Sequence, residues 1–330
     1  MELSIVVPVF NTCGRLLREA ASSILDEPSA HLAQLILVDD ASTCVETRHT
    51  LAVLAASDAR VLLLRNATNQ GPASTRNRGI RAATAEWVGF LDADDVWLPG
   101  QMARLAQIRA AHPEARWIAT RHLLTDASGE GRPAPQLPPE GGTCAGSGLC
   151  RHEGPGLTQK FLGNFWIHLG ATLTQRRLCE EIGGFAEGLD YFEDMHFMAR
   201  LSTRSALIYA DCEGYGWRQH DAGLTANPRR LRASSLRMHA LAARDPLLNP
   251  FARQIRWAHL SAMKGLAMNN LLAGRRLHAA GLAFRAWAMD PREWRALALF
   301  LRLCAVDEVA AQRDLGRYSG AERFASRLPL

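Results

Sequence analysis

The sequence predicts an α/β fold: a mostly parallel, Rossmann-like sheet flanked by helices, with an all-helical C-terminal extension. Three observations predict it. Nearly continuous apolar runs alternate with stretches of helical spacing from Leu3 to Leu91; several of those runs end in Asn or Asp; and from about Pro228 onward the periodicity is helical alone. Strands buried on both faces read as unbroken Val/Ile/Leu runs, and such alternation places helices on both sides of a parallel sheet.

The elements follow in order. Leu3 to Val9 is an apolar strand, and Gly14 to Leu25 carries Leu16, Leu17, Ala20, Ala21 and Ile24 at the spacing of a buried helical stripe. Leu35 to Val38 is the second strand with Glu46 to Ala55 as its helix. Arg60 to Leu64 is the third with Gly71 to Ala83, and Trp87 to Leu91 the fourth. Asp126 to Gly156 is dense in Pro and Gly, which predicts a flexible loop, either a functional lid or a disordered segment. Order resumes near Phe161, and Leu236 to Ala243, Phe251 to Leu272, Arg276 to Met289 and Glu293 to Val306 read as helices. The expected domains are therefore residues 1–227 and a helical module over 228–330. Ligands of such sheets bind beyond the carboxyl ends of the strands, so Asn11, Asp39, Asp40 and the Asp92 to Asp95 group are predicted to meet in one crevice.

Composition narrows the class. At 330 residues, 48% hydrophobic and 22% charged, the chain can bury a full core. No run approaches the ~18 apolar residues of a membrane span, and no secretory signal opens the sequence. The expected location is the cytoplasm, extending to the inner face of the membrane, because Arg275, Arg276 and Arg285 accompany apolar helices that could lie on anionic lipid. The formal charge of +5 is dispersed and includes only two lysines, which argues against a nucleic-acid partner. Seven cysteines without paired spacing read as free thiols.

The densest chemistry is Glu86 to Leu98, EWVGFLDADDVWL, where a strand runs into Asp92, Asp94 and Asp95 with no base between them. Like charges 4 Å apart repel by about 4 kcal/mol near a protein surface. Such a knot calls for a hard divalent cation, Mn²⁺ or Mg²⁺. Taken alone, an acidic loop capping the next helix explains it as well.

Together with SIVVPVFN at Ser4 to Asn11, LVDDAS at Leu37 to Ser42, NQGPASTRNRGI at Asn69 to Ile80, FLDADD at Phe90 to Asp95, and GGF followed by FED between Gly183 and Asp194, the chain resembles family 2 glycosyltransferases over about Met1 to Asn227. The resemblance implies the GT-A fold and inverting, single-addition transfer of a sugar from a nucleotide diphosphate sugar, UDP favoured, to an acceptor hydroxyl, with Mn²⁺ or Mg²⁺ required. It implies roles as well. Asp39 would recognise the base, Pro8, Phe10 and Asn11 would wall its pocket, and Arg76 would lie near the nucleotide. Asp92 would contact the ribose or the metal shell, Asp94 would ligate the metal, and Asp40, Asp95 and Glu193 would stand behind them. Asp194 would be the general base, and His220 of WRQH a further metal or diphosphate ligand.

Plainer readings stand beside these. Asp39 as a helix cap, Arg76 as an exposed helical arginine and Asp194 as an acid suiting the helix dipole use the same residue types. Gly71 and Pro72 start a helix whose N-terminus can offer N–H groups to an anion, and Gly79 lets that helix pack close to the sheet. Trp166 and His168 are the candidate contacts for the acceptor, which the resemblance leaves as a glycan, a lipid-linked or another hydroxyl compound. The alternative function is a non-catalytic nucleotide- or glycan-binding scaffold. Lack of a QxxRW motif separates the chain from processive synthases.

Overall fold

The computed structural model describes residues 1–28, 31–126, 131–133, 142–145, 148–163, 167–219, 228–292 and 298. Two compact units divide the chain: Met1–Phe161 with Phe165–Gly223, and Leu162–Asn164 with Leu224–Leu330.

The predicted alternation is present as β1 (Leu3–Val9), α1 (Gly14–Leu25), β2 (Leu32–Asp39), α2 (Val45–Ser57), β3 (Val61–Arg65), α3 (Gly71–Ala82) and β4 (Trp87–Phe90). There follow β5 (Val96–Trp97), α4 (Gln101–Ala111), β6 (Trp117–Thr125), β7 (Gly131–Pro133), β8 (Thr143–Ala145), β9 (Leu149–His152), α5 (Pro155–Gly163), β10 (Thr172–Gln175), α6 (Arg176–Glu181), α7 (Glu193–Ser202) and β11 (Leu207–Arg218). The sheet runs β3-β2-β1-β4-β10-β6-β11-β9-β8, with β5 on β11 and β7 on β6. Strands β3, β2, β1 and β4 are mutually parallel, as are β6 and β11. Short β10 enters antiparallel between β4 and β6 and joins the two parallel sets.

The apolar runs explain the core. Leu3, Ile5, Val6, Leu35, Ile36, Leu37 and Val38 are fully buried on the two faces of the sheet, and α1 buries Leu17, Ala20, Ala21 and Ile24. A Cβ on Gly79 would run into the side chain of Val6, so the bare backbone there is what lets α3 lie against β1.

Two sequence expectations are corrected here. Within Asp126–Gly156 the described residues are largely strands, with β7 pairing β6 and β8 pairing β9, rather than an irregular loop. The β8–β9 hairpin aligns Cys144 with Cys150, and the two form a disulfide, so not all the cysteines are free thiols. Their pairing comes from a hairpin that Pro and Gly content concealed. Cys13, Cys44, Cys179 and Cys212 are free.

The second unit contains α8 (Pro228–Ala242), a 3-10 turn at Pro246–Phe251, α9 (Ala252–Leu272) and α10 (Arg276–Met289). Leu260, Met263 and Ala286 form its core, flanked by Leu236, Leu282 and Trp287. Helix α8 begins earlier than the apolar spacing predicts, its first turn being Pro228, Arg229 and Arg230. Most of the expected helix from Glu293 to Val306 lies outside the described residues. No helix among the described residues is long and apolar enough to cross a membrane.

Candidate functional site

The carboxyl ends of β1 and β2 are tied together by side chains. Asn11 takes a left-handed conformation, φ 51°, and its Oδ1 accepts the N–H groups of Thr43 at 2.8 Å and Cys44 at 2.9 Å, closing the start of α2. Asn11 thereby orders the turn just before α2, whose N-cap residue is Cys44. Asp39 is buried, accepts the Ser42 N–H at 2.8 Å through Oδ1, and has Arg65 Nε 3.5 Å from Oδ2. Phe10 is 49% exposed beside half-buried Pro8, a flat apolar surface at the strand end.

Asp40 settles the start of α3. Its carboxylate accepts the N–H groups of Gln70 and Gly71, each at 2.9 Å, and the Asn66 amide at 2.7 Å. The Gly71 N–H, at the helix start expected to face an anion, thus goes to a resident carboxylate, which suits the dipole of α3 equally well.

The acidic turn follows β4. Arg76, projecting from α3, is buried and not an exposed helical arginine: Nη2 donates to Asp92 Oδ1 at 2.7 Å and Nη1 to Glu193 Oε1 at 2.6 Å. Burial works against the guanidinium's charge, but the two carboxylates outweigh it and raise its pKa further. Burial likewise opposes the charge on Asp92, and Arg76 and His168 overcome it to hold that carboxyl below the usual range. Asp95 lies deeper. It accepts the Tyr215 hydroxyl at 2.5 Å and the Arg218 N–H at 2.8 Å, yet burial and the charges of Asp94 and Asp92 push its pKa well up. Asp94 is half-buried in the same turn, and its carbonyl accepts from Arg218 Nη1 at 3.3 Å. Arg218 also pairs with Glu19 at 2.7 Å.

His168 comes from the turn before β10. Its Nε2 lies 3.8 Å from Asp92 Oδ2 and 4.0 Å from Asp95 Oδ2, and the ligand atoms of Asp92, Asp95 and His168 all fall within 4.8 Å of one another. Burial lowers the pKa of the imidazole, partly offset by Asp92 and Asp194.

Helix α7 starts abruptly because Phe192, at φ 64°, turns the chain just before it. Met195, Phe197, Met198 and Leu201 hold the helix in the core, with Phe197 stacked on Phe185 at 3.9 Å between ring centroids. Glu193 faces Arg76, and burial, reinforced by Asp194, pushes it up to about 7 against the pull of that guanidinium. Asp194 is half-buried and accepts the Met195 N–H at 2.7 Å. Burial raises its pKa against the pull of His168 and Arg76.

The structure thus brings Arg76, Asp92, Asp95, His168, Glu193 and Asp194 together, with Asp94 in the same turn. It keeps Asp39 and Asn11 on the β1–β2 side. Trp166 and His220 lie outside the described residues. His168, the other residue expected at the acceptor, stands near the carboxylates of Asp92 and Asp95. Sequence reasoning missed Tyr215, two residues before the Trp217–His220 segment singled out for His220, and gave Arg218 within that segment no role; the alternation along β11 was the available signal.

Comparison with known proteins bears on the site. Residues 4–162 match the family model for Glycosyl transferase family 2. The O-antigen biosynthesis protein RfbC of Myxococcus xanthus is 29% identical over 208 residues, which cover 62% of this chain and 15% of that protein. WfgD of Escherichia coli, a UDP-Glc:alpha-D-GlcNAc-diphosphoundecaprenol beta-1,3-glucosyltransferase, is 33% identical over 100 residues, 30% of this chain and 38% of the relative. The chain spans well under two thirds of either relative. Among solved structures, TarS 1-349 of S. aureus in complex with UDP-GlcNAc superposes with a TM-score of 0.59 at 16% identity, covering 91% of this chain and 84% of that one. That likeness is one of fold, and it agrees with the GT-A architecture.

Proposed function

We propose that the chain, whose residues 4–162 match the model for Glycosyl transferase family 2, is an inverting, single-addition transferase moving a sugar from a nucleotide diphosphate sugar to an acceptor hydroxyl. One observation carries the proposal: carboxylates, Arg76 and His168 from four separate segments converge beyond the carboxyl end of β4, with Arg76 2.7 Å from Asp92 and 2.6 Å from Glu193 and His168 3.8 Å from Asp92. UDP is the favoured nucleotide, in line with the name of WfgD and the UDP-GlcNAc complex of TarS.

Asp39 offers a buried carboxylate, the natural partner for the single N–H donor of a uracil ring, beside the exposed face of Phe10. A divalent ion fits the acidic turn, since closely spaced carboxylates are the donors that Mn²⁺ and Mg²⁺ prefer. Asp94 would ligate it with Asp92 alongside and Asp95 behind. Bound there, the ion would neutralise the charge that grows on the departing diphosphate. Arg76 orients Asp92 and Glu193 through its forked contacts. Asp194 takes the proton of the acceptor hydroxyl as that oxygen attacks the anomeric carbon from the face opposite the diphosphate. Its raised pKa brings it closer to the working range of a base. The acceptor is a glycan, a lipid-linked sugar or another hydroxyl compound, and the setting is the cytoplasm or the inner membrane face.

The test is calorimetry and nucleotide release with UDP-, GDP- and dTDP-sugars in Mn²⁺. The expected result is Mn²⁺-dependent binding and slow hydrolysis of a UDP-sugar that chelation abolishes. No binding and no release across the panel would sink the proposal.

A further inference from the structure

The imidazole of His168 occupies the place a third metal ligand would take beside Asp92 and Asp95. Its remote nitrogen decides whether it can take that part. Nδ1 accepts the backbone N–H of Gly170 at 3.2 Å. A backbone amide only donates, so Nδ1 presents its lone pair there, and a neutral imidazole then carries its one hydrogen on Nε2. Nε2 lies 3.8 Å from Asp92 Oδ2 and 4.0 Å from Asp95 Oδ2, so the hydrogen sits on the nitrogen where a cation would need a lone pair. Metal-bound imidazoles show the reverse: the remote nitrogen donates to a carboxylate or carbonyl and leaves the near nitrogen unprotonated. Moving the hydrogen to Nδ1 would set two N–H groups against each other at Gly170, and turning the ring over would put a carbon there.

The surroundings hold this arrangement. His168 stacks on Tyr215 with ring centroids 4.5 Å apart and planes 19° apart. Trp97 Nε1 donates to the Gly170 carbonyl at 2.9 Å, and a side chain at position 170 would collide with the Tyr215 ring. The Tyr215 hydroxyl completes the circuit on Asp95.

We infer that His168 is a positioning residue that offers its Nε2–H to Asp92 and Asp95, through an intervening oxygen across the 3.8 and 4.0 Å gaps, and is not a ligand of the divalent ion. The inference rests on the metal-dependent reading above. It leaves the described part of the metal site with oxygen donors only, which selects Mn²⁺ or Mg²⁺ over Zn²⁺.

The test uses the full chain with UDP and Mn²⁺, reading Mn²⁺ affinity by electron paramagnetic resonance and coordinated nitrogen by spin-echo modulation. His168→Gln keeps an N–H at similar reach without an imidazole, and His168→Phe keeps a ring without the N–H. The expected result is Mn²⁺ affinity within about threefold of wild type in His168→Gln, a loss of roughly tenfold or more in His168→Phe as for other residues that orient ligands, and the same nitrogen modulation in all three proteins. A wild-type imidazole signal that vanishes in His168→Gln, with a tenfold or greater loss of affinity in that variant, would overturn the inference. The Gln variant carries this comparison even where the Phe variant does not fold. Wild-type protein that binds no Mn²⁺ would instead overturn the metal-dependent reading itself, and the inference with it.

Discussion

Arg76 and Glu193 are 117 positions apart in the sequence and 2.6 Å apart in the structure, and the same guanidinium holds Asp92 with its other amino group. One buried cation therefore serves two acids that come from different elements of the sheet unit.

Removing that cation should be felt in stability as well as in activity. Breaking a buried pair from one side leaves an uncompensated charge, which costs about 3–5 kcal/mol. Arg76→Met should lower the unfolding free energy by about that amount, and Arg76→Lys should recover only part because one ammonium cannot fork to both carboxylates. Urea unfolding followed by circular dichroism measures both; a loss under about 1 kcal/mol in Arg76→Met would mean the pair is not formed in solution.

Asp194→Asn should reduce transfer by about 10²–10⁴-fold, the usual contribution of a general base, while UDP affinity stays near wild type. In the wild type a base acts when ionised, and burial raises the pKa of Asp194. Activity should thus fall as the pH drops, with an acid limb above the ordinary Asp value of about 4. Steady-state rates against pH, beside calorimetry with UDP, separate the two effects.

Gly79→Ala should push α3 away from Val6 and lower stability by about 1–3 kcal/mol, the typical penalty of overpacking. A thermal melt monitored in the far ultraviolet would show it, and an unchanged midpoint would contradict the close approach of α3 to β1.

His239 is buried with Nε2 3.1 Å from the Leu162 carbonyl. Burial, helped by His259 and opposed by that carbonyl, pushes its pKa down to about 4. The unfolded chain takes up the proton first, near the ordinary value of about 6.5, so this contribution to stability is complete above that pH. It is lost progressively down to about pH 4, by up to ~3 kcal/mol. His239→Gln should flatten the stability-versus-pH curve of the wild type across that window, and parallel curves would refute the assignment.

Thiol titration in denaturant checks the β8–β9 hairpin. Without reductant the protein should show two fewer reactive thiols than the seven present after reduction, and Cys144→Ser should free the thiol of Cys150.

Much of the fold is legible in the sequence because its signals are local. The unbroken apolar runs of β1 and β2 and the helical stripe of α1 each announce themselves within a dozen residues. The short strand β10 does not: TLTQ has no distinctive pattern, and only pairing with β4 and β6 makes it a strand. The same holds in the candidate site. The acidic turn is visible as a motif, but Tyr215 meets Asp95 across 120 residues, and Glu193 meets Arg76 across 117, where no periodicity reaches. Asp40 and Asn11 were legible as polar strand ends, yet which backbone groups they satisfy depends on how the loops fold back onto them.

The bend at Phe192 fixes the phase of the helix behind it. Glu193 and Asp194 are sequence neighbours, yet one is committed to Arg76 and the other accepts the Met195 N–H of its own helix. Each residue added or removed ahead of them would turn the helix by about 100° and take Glu193 away from the guanidinium. The length of the connection from Gly183 to Phe192 is thereby under the same constraint as the carboxylates it delivers, and its side chains are bound as well, since Phe185 stacks on Phe197 and Gly183 and Gly184 sit at positive φ.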